Sequence, residues 1–229
     1  MKINELGAAS SRPSITFFAL KAHKLLSDSR INLNMPNFLN EKDQKLFFKI
    51  HKNLLLFVNK KIKSSKKFKD LKDWGEYANF MSDAIVLRDH LFRNKDIIDQ
   101  FIEANPANFD EQELSITKHW KSAIIGKFIL LKHLKNHSIF LNTEHNEAKI
   151  YAVLGLMGSI EELAPKYQLP IFVDTALIPF SGRIVYDGIL QGYNVIIGNG
   201  YTRSFMEDYK LAKEKNEIIA DLLSAQHDV

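Results

Sequence analysis

Gly126-Lys127-Phe128-Ile129-Leu130-Leu131-Lys132-His133-Leu134-Lys135-Asn136-His137-Ser138-Ile139-Phe140-Leu141 is the stretch where the periodicity of the chain changes. Two apolar runs face each other across Lys135-Asn136-His137, the pattern of paired strands around a turn. Upstream, apolar residues recur at spacings of three and four. Leu46, Phe47, Ile50, Leu54, Phe57, Val58 and Ile62 form one helical stripe, and Asn40 stands where an N-cap belongs. The chain is therefore expected to divide near Gly126, with a helical region over 1–125 and an α+β region over 126–229.

In the first region, Ser14 to Leu26 reads as a helix started by Arg12-Pro13-Ser14. Further helices are expected from Trp74 to Leu91, from Asp96 to Glu103 before Asn105-Pro106, and from Asp110 through Ile124. In the second region, Lys149 to Leu156 is a strand and Ile160–Leu163 a short helical piece. Ile171–Phe180 and Arg183–Tyr186 form a hairpin across Ser181-Gly182. Asn194 to Ile197 reads as a last strand before a C-terminal helix over Thr202–Leu223. Short strands at close spacing with one terminal helix predict a small curved antiparallel sheet or a partly open barrel.

The chain has 229 residues, 45% hydrophobic and 25% charged, enough for a substantial core and too balanced for global disorder. It contains no cysteine, which excludes disulfides, thiolate nucleophiles and iron–sulfur ligation. The N-terminal residues lack the apolar core of a signal peptide, and no run reaches the roughly 18 to 20 apolar residues of a membrane span. A soluble cytoplasmic protein without membrane contact is expected. Abundant Lys, Asn, Ile and Phe suggest an AT-rich bacterial genome.

Leu177-Ile178-Pro179-Phe180-Ser181-Gly182-Arg183-Ile184-Val185-Tyr186-Asp187-Gly188, followed by Gly198-Asn199-Gly200-Tyr201-Thr202-Arg203-Ser204, resembles a pattern in a family of uncharacterised bacterial proteins. Some of those carry SEC-C-type metal-binding tails. The resemblance spans about the last hundred residues and implies a shared C-terminal domain, with no activity to carry over. Without cysteine, this chain departs from the members that have such a tail.

Three constellations are candidates for function. Gly198, Asn199, Gly200, Thr202, Arg203 and Ser204 could form an anion-binding turn, with glycines shaping a nest and side chains donating to phosphate or carboxylate. The plainer reading is a tight strand-to-helix connection. Asp174 alternates with Phe172, Ala176 and Ile178, so its carboxylate lies on an apolar strand face and needs a partner. Arg183 and Arg203 are the partners expected in an internal ion pair, while Asp174, Asp187 and Arg203 around a ligand is the sharper alternative. Lys60, Lys61, Lys63, Lys66, Lys67 and Lys69 surround Phe57, Phe68 and Trp74, a mixture suited to nucleic acid, against the plainer reading of a solvated loop over buried aromatics.

His119, His133, His137 and His145 fall in one window without a third ligand at a convincing spacing, so no metal and no cofactor are expected. Net charge is only +4, so the distribution of lysines matters more than their sum. The reading that follows is a non-catalytic binding or interaction module, a subunit of a larger complex or a nucleic-acid-associated protein. The alternative is a hydrolase or transferase that takes a phosphate-bearing substrate at the Gly198–Ser204 turn. Sequence alone leaves open whether any catalysis occurs and what the oligomeric state is.

Overall fold

A computed structural model of the chain describes residues 15–18, 37–66, 68, 80–142 and 148–224. Among the described residues, four α-helices precede the barrel. They are α1 (Glu41–Ile62), α2 (Met81–Arg93), α3 (Asp96–Ala104) and α4 (Glu111–His119). The α1 start follows from local chemistry: the Asn40 side chain accepts a hydrogen bond from Asp43 N at 2.9 Å. At its end, Lys63 takes a left-handed conformation (φ 51°) and its N–H closes on Asn59 O. α4 opens with a reciprocal capping box between Asp110 and Glu113.

The sheet comprises β1 (Ile15–Phe18), β2 (Ile124–His133), β3 (Ser138–Asn142), β4 (Lys149–Leu154), β5 (Ile171–Phe180), β6 (Arg183–Tyr186) and β7 (Leu190–Tyr193). β5, β2, β3, β4 and β6 close into a five-stranded barrel because β6 pairs with both β4 and β5. All of these pairings are antiparallel except β4–β6, where Val153 lies beside Ile184 in parallel. β7 and β1 extend the sheet from the free part of β5's edge. The remaining helices are α5 (Ile160–Leu163) and α6 (Asn199–Glu214). The architecture is thus α+β, helical first, then a small barrel, then a C-terminal helix.

The barrel strands are buried on both faces, which is why they read as continuous apolar runs rather than alternating ones. Phe128, Leu130, Phe140, Tyr151 and Val153 belong to the core shared with the N-terminal helices. Their neighbours Ile129, Leu131, Ile139, Leu141 and Ile150 lie in a second core with Phe205, Tyr209 and Ala212 of α6. Those three recur at spacings of four and three, so one face of α6 covers the outer wall. On the other side Phe47 of α1 packs against Trp120 at 5.0 Å and Phe180 at 5.5 Å between ring centroids, joining helices and barrel.

Four expectations need correction. Ile15–Phe18, expected within a helix, is a strand: it supplies the antiparallel partner of β7, with Ile15 opposite Tyr193. The other residues of that expected helix lie outside the described residues. Asn194–Ile197 is no strand. β7 sits four residues earlier, and Ile196 is 97% exposed, unpaired with any ladder. The C-terminal helix ends at Glu214, because Ile219 instead bridges to Tyr151 on the edge of β4. The helix expected to run through Ile124 stops at His119. A 3-10 turn over Trp120–Ser122 follows it, and β2 already starts at Ile124.

Candidate functional site

The carboxylates flagged by sequence do converge, on an arginine that sequence reasoning overlooked. Arg88 of α2 is fully buried; its Nη1 donates to Asp187 Oδ2 at 3.3 Å, Nη2 to Asp174 Oδ1 at 3.1 Å and Nε to Asp89 Oδ1 at 2.7 Å. Asp187 is equally buried. Its Oδ1 accepts from Thr175 Oγ1 at 3.1 Å, from Ile189 N at 3.1 Å and, at 3.5 Å, from Ala176 N. Gly188 holds a left-handed φ of 87°, which turns the chain so that Asp187 can accept from the amide two residues on.

The electrostatics of this cluster are those of a closed unit. Burial alone disfavours the Arg88 cation, but Asp187, Asp89 and Asp174 outweigh it and hold the guanidinium charged. Burial raises the Asp174 pKa, against the pull of Arg88 and Lys127. It also raises that of Asp187, against Arg88 and the backbone N–H groups of Ile189 and Ala176. Three acids around one arginine leave an excess of negative charge. Arg93, 3.5 Å from Asp89, and Lys127 offset it from the rim. Each nitrogen of Arg88 donates to an acid of the fold, so the cluster locks α2 to β5 and the bend after β6.

The two expected arginine partners lie elsewhere. Arg183 follows the Ser181-Gly182 turn, whose φ values of 52° and 71° match a two-residue hairpin. Its Nη2 donates to Asp43 Oδ2 at 2.6 Å, which ties the hairpin to the start of α1. Arg183 also lines a cleft of about 280 Å³ with Phe38, Asn40, Asn136, His137 and Leu154 among its walls. Arg203 is exposed on the first turns of α6 and takes no part in the Asp174–Asp187 cluster.

The Gly198–Ser204 segment is the start of α6. Gly198 is the N-cap at an ordinary extended φ of −68°, and Thr202 N and Oγ1 both donate to Gly198 O, at 3.1 and 3.3 Å. Gly198, Asn199, Gly200, Arg203 and Ser204 are all exposed. A methyl group added at Gly198 or Gly200 would meet no atom within 4 Å, so no close backbone approach requires these glycines. Thr202 alone borders a cavity, of about 360 Å³, together with Lys132, His133, Lys166 and Met206.

Among the lysines, Lys60, Lys63 and Lys66 are exposed, and Lys61 donates to Gln100 Oε1 at 2.6 Å while lying 5.0 Å from the Phe57 ring centre. Lys67, Lys69 and Trp74 lie outside the described residues. Phe68 is fully buried and stacks edge-on to Phe80, so it presents no ring to a base. His133 is engaged at both ring nitrogens, by Ser138 Oγ and Ala164 O, each at 2.7 Å. Among the described residues no group of three or more His, Asp or Glu side chains is placed to hold a metal ion. No helix among them is long and apolar enough to cross a membrane.

A signal for Arg88 was present in the sequence. Ala84, Leu87 and Leu91 set the buried stripe of α2, and Arg88 falls on it one turn after Ala84. A charge at a core position of a helix asks for buried acids, and Asp174 was already in need of a cation. Asp43 gave no comparable signal, since a first-turn acid has a sufficient role beside the helix dipole.

Fold and site together define an α+β protein with a small closed barrel and an internally neutralised polar cluster. No family model matches this chain, and neither a curated protein nor a solved structure was found to be similar to it.

Proposed function

We propose that the protein is a non-catalytic binding module that engages a polyanion, nucleic acid in the first instance, through the solvent face of α1 and the lysines that follow it. The observation that carries this reading is the placement of Lys42, Lys45, Lys49, Lys52 and Lys60 on α1. At about 100° per residue they fall within roughly 80° of arc, on the side opposite Phe47, Leu54 and Val58, along about 27 Å of helix. Exposed Lys63 and Lys66 continue the row. Acids temper it in two places, where Lys45 pairs with Glu41 and Lys49 with Glu113. A role as subunit of a larger complex, and a bacterial cytoplasmic setting, accompany this reading and rest on composition.

The test is fluorescence anisotropy of a labelled duplex across a salt series. Binding should weaken with salt, and the log–log slope should fall by about 0.7 to 0.9 for each phosphate contact removed. Lys42→Gln, Lys60→Gln, Lys63→Gln and Lys66→Gln together, all exposed, should flatten the slope without lowering the melting temperature. Binding that ignores both salt and these substitutions overturns the reading. No binding at low salt redirects it to a protein partner.

A second reading, a hydrolase or transferase for a phosphate-bearing substrate at the start of α6, has one observation in its favour. Thr202 shares its cavity with the cations Lys132 and Lys166. Against turnover stands His133, whose two ring nitrogens are both occupied and so unavailable as a general base. Phosphate should raise the melting temperature in wild type and not in Lys132→Gln if this cavity takes anions; an unchanged melt in both removes the reading.

A further inference from the structure

The cleft beside Arg183 is built differently from the other polar regions. Its floor is the outer wall of β4, where Ala152 and Leu154 face away from the buried Tyr151 and Val153. α6 covers this wall only as far as Ile150. Four other parts of the chain border the cleft: the residues before α1 give Phe38 and Asn40, the β2–β3 turn gives Asn136 and His137, the β5–β6 hairpin gives Arg183, and the segment after α6 gives Ala220. At about 280 Å³ the space has the size of a small-molecule site, apolar below with a few polar groups above.

The charge state of the rim selects the ligand. Arg183 is the cation lining the cleft, and Asp43 already neutralises it at 2.6 Å. Asp43 is in turn fixed, because its Oδ2 also accepts from Asn40 Nδ2 at 3.0 Å and its N–H donates to Asn40 Oδ1. An incoming carboxylate or phosphate would share Arg183 with a carboxylate that cannot leave, at the cost of like-charge repulsion. A neutral acceptor meets no such opposition, since a guanidinium has five N–H donors and Asp43 takes one bond from Nη2. His137 is half-buried, and burial lowers its pKa, so its imidazole is neutral near pH 7 and offers one donor and one acceptor. The Asn136 amide adds both kinds of group.

We infer that this cleft is a binding site for an uncharged, flat heterocycle of nucleobase or nucleoside type, held by Arg183, Asn136 and His137 over Phe38 and Leu154. The site is separate from the lysine face of α1 and does not rest on it. A heterocyclic amide supplies ring area for the apolar floor and in-plane acceptors and donors for the rim. The Arg183–Asp43 pair acts as the filter that prefers it to an anion.

The experiment is titration of the 15N-labelled full chain with adenosine, uridine and adenosine 5′-monophosphate, read at the amides of Gly182 and His137. At least one nucleoside should shift these signals saturably, and the monophosphate should bind there more weakly than adenosine. Arg183→Gln should weaken nucleoside binding about tenfold or more, the scale of one charged hydrogen bond. Should that variant fail to fold, His137→Ala reads the same loss. Asp43→Asn keeps the contact to Asn40 but frees the guanidinium, and should reverse the order so that the monophosphate binds better than adenosine. Three results each overturn the inference: no shift at these amides with either nucleoside at millimolar concentration, a wild-type preference for the monophosphate, or unchanged binding in both Arg183→Gln and His137→Ala.

Discussion

Arg88 and Arg203 carry the same guanidinium and meet opposite surroundings. Arg88 is buried in α2 with Asp187, Asp174 and Asp89 on its three donor groups. Arg203 stands in solvent at the start of α6. The buried arginine is shut off from solvent with each of its three nitrogens on an acid of the fold, and the exposed one pairs with no acid among the described residues. Polar residues that look like a binding cluster along the sequence can thus be an internal lock. The proposed binding surfaces are then the plain-looking ones: the lysine face of α1 and the cleft beside Arg183.

The contrast should show most strongly when the lock is opened. Arg88→Ala leaves Asp187 buried without its cation, and the cost should be about 3 to 5 kcal/mol in urea denaturation. A loss below about 1 kcal/mol would mean that water or Lys127 replaces the guanidinium and that the cluster is not closed.

A pH titration probes the same region from a different residue. His51 is buried beside Phe47 and Trp120, and desolvation, helped by the nearby Arg88 charge, pushes its pKa down to about 3. The unfolded chain protonates this histidine near its ordinary value while the folded protein does not. Stability from this group is therefore complete above about pH 6.5 and is lost as pH falls toward 3, by an amount on the order of 5 kcal/mol. His51→Phe should remove that part of the acid slope. An unchanged slope would place the acid sensitivity in other groups.

Two glycines sharpen the difference between packed and open regions. At Gly155 a Cβ would stand 2.0 Å from the Gly158 carbonyl oxygen and 3.3 Å from Phe38 Cβ. Gly155→Ala should then cost roughly 1 to 3 kcal/mol, because backbone must move. Gly200 lies in the exposed first turns of α6 with open space where its side chain would be. Gly200→Ala should be neutral or stabilise by up to about 1 kcal/mol. Thermal melts of both variants suffice, and strong destabilisation at Gly200 would revive the idea of a shaped anion turn there.

Local chemistry was readable in the sequence wherever it was sufficient. The α1 stripe with its Asn40 cap and the Ser181-Gly182 hairpin each carry their own signal within a few residues. What could not be read depends on partners far along the chain. Ile15–Phe18 extends because β7, some 175 residues later, supplies a matching ladder. Val195-Ile196-Ile197 has strand composition but no ladder to join, whereas Leu190–Tyr193 pairs on both edges. Parallel closure by β4 and β6 is likewise invisible locally, because the intervening β5 has to pass around the barrel first. The need of Asp174 for a cation was evident, but the choice among arginines turned on which helix packs against β5, and the burial of Asp187 on how the chain turns at Gly188.

The most direct measurement is a pair of double-mutant cycles at neutral pH, Arg88→Leu with Asp187→Leu and Arg203→Leu with Asp187→Leu, read by chemical denaturation. The structure predicts a coupling of about 1 to 3 kcal/mol in the first cycle and none beyond about 0.5 in the second, where the single Arg203→Leu change is itself within about 0.5 kcal/mol of wild type. Additivity in the Arg88 cycle together with coupling in the Arg203 cycle would contradict the account.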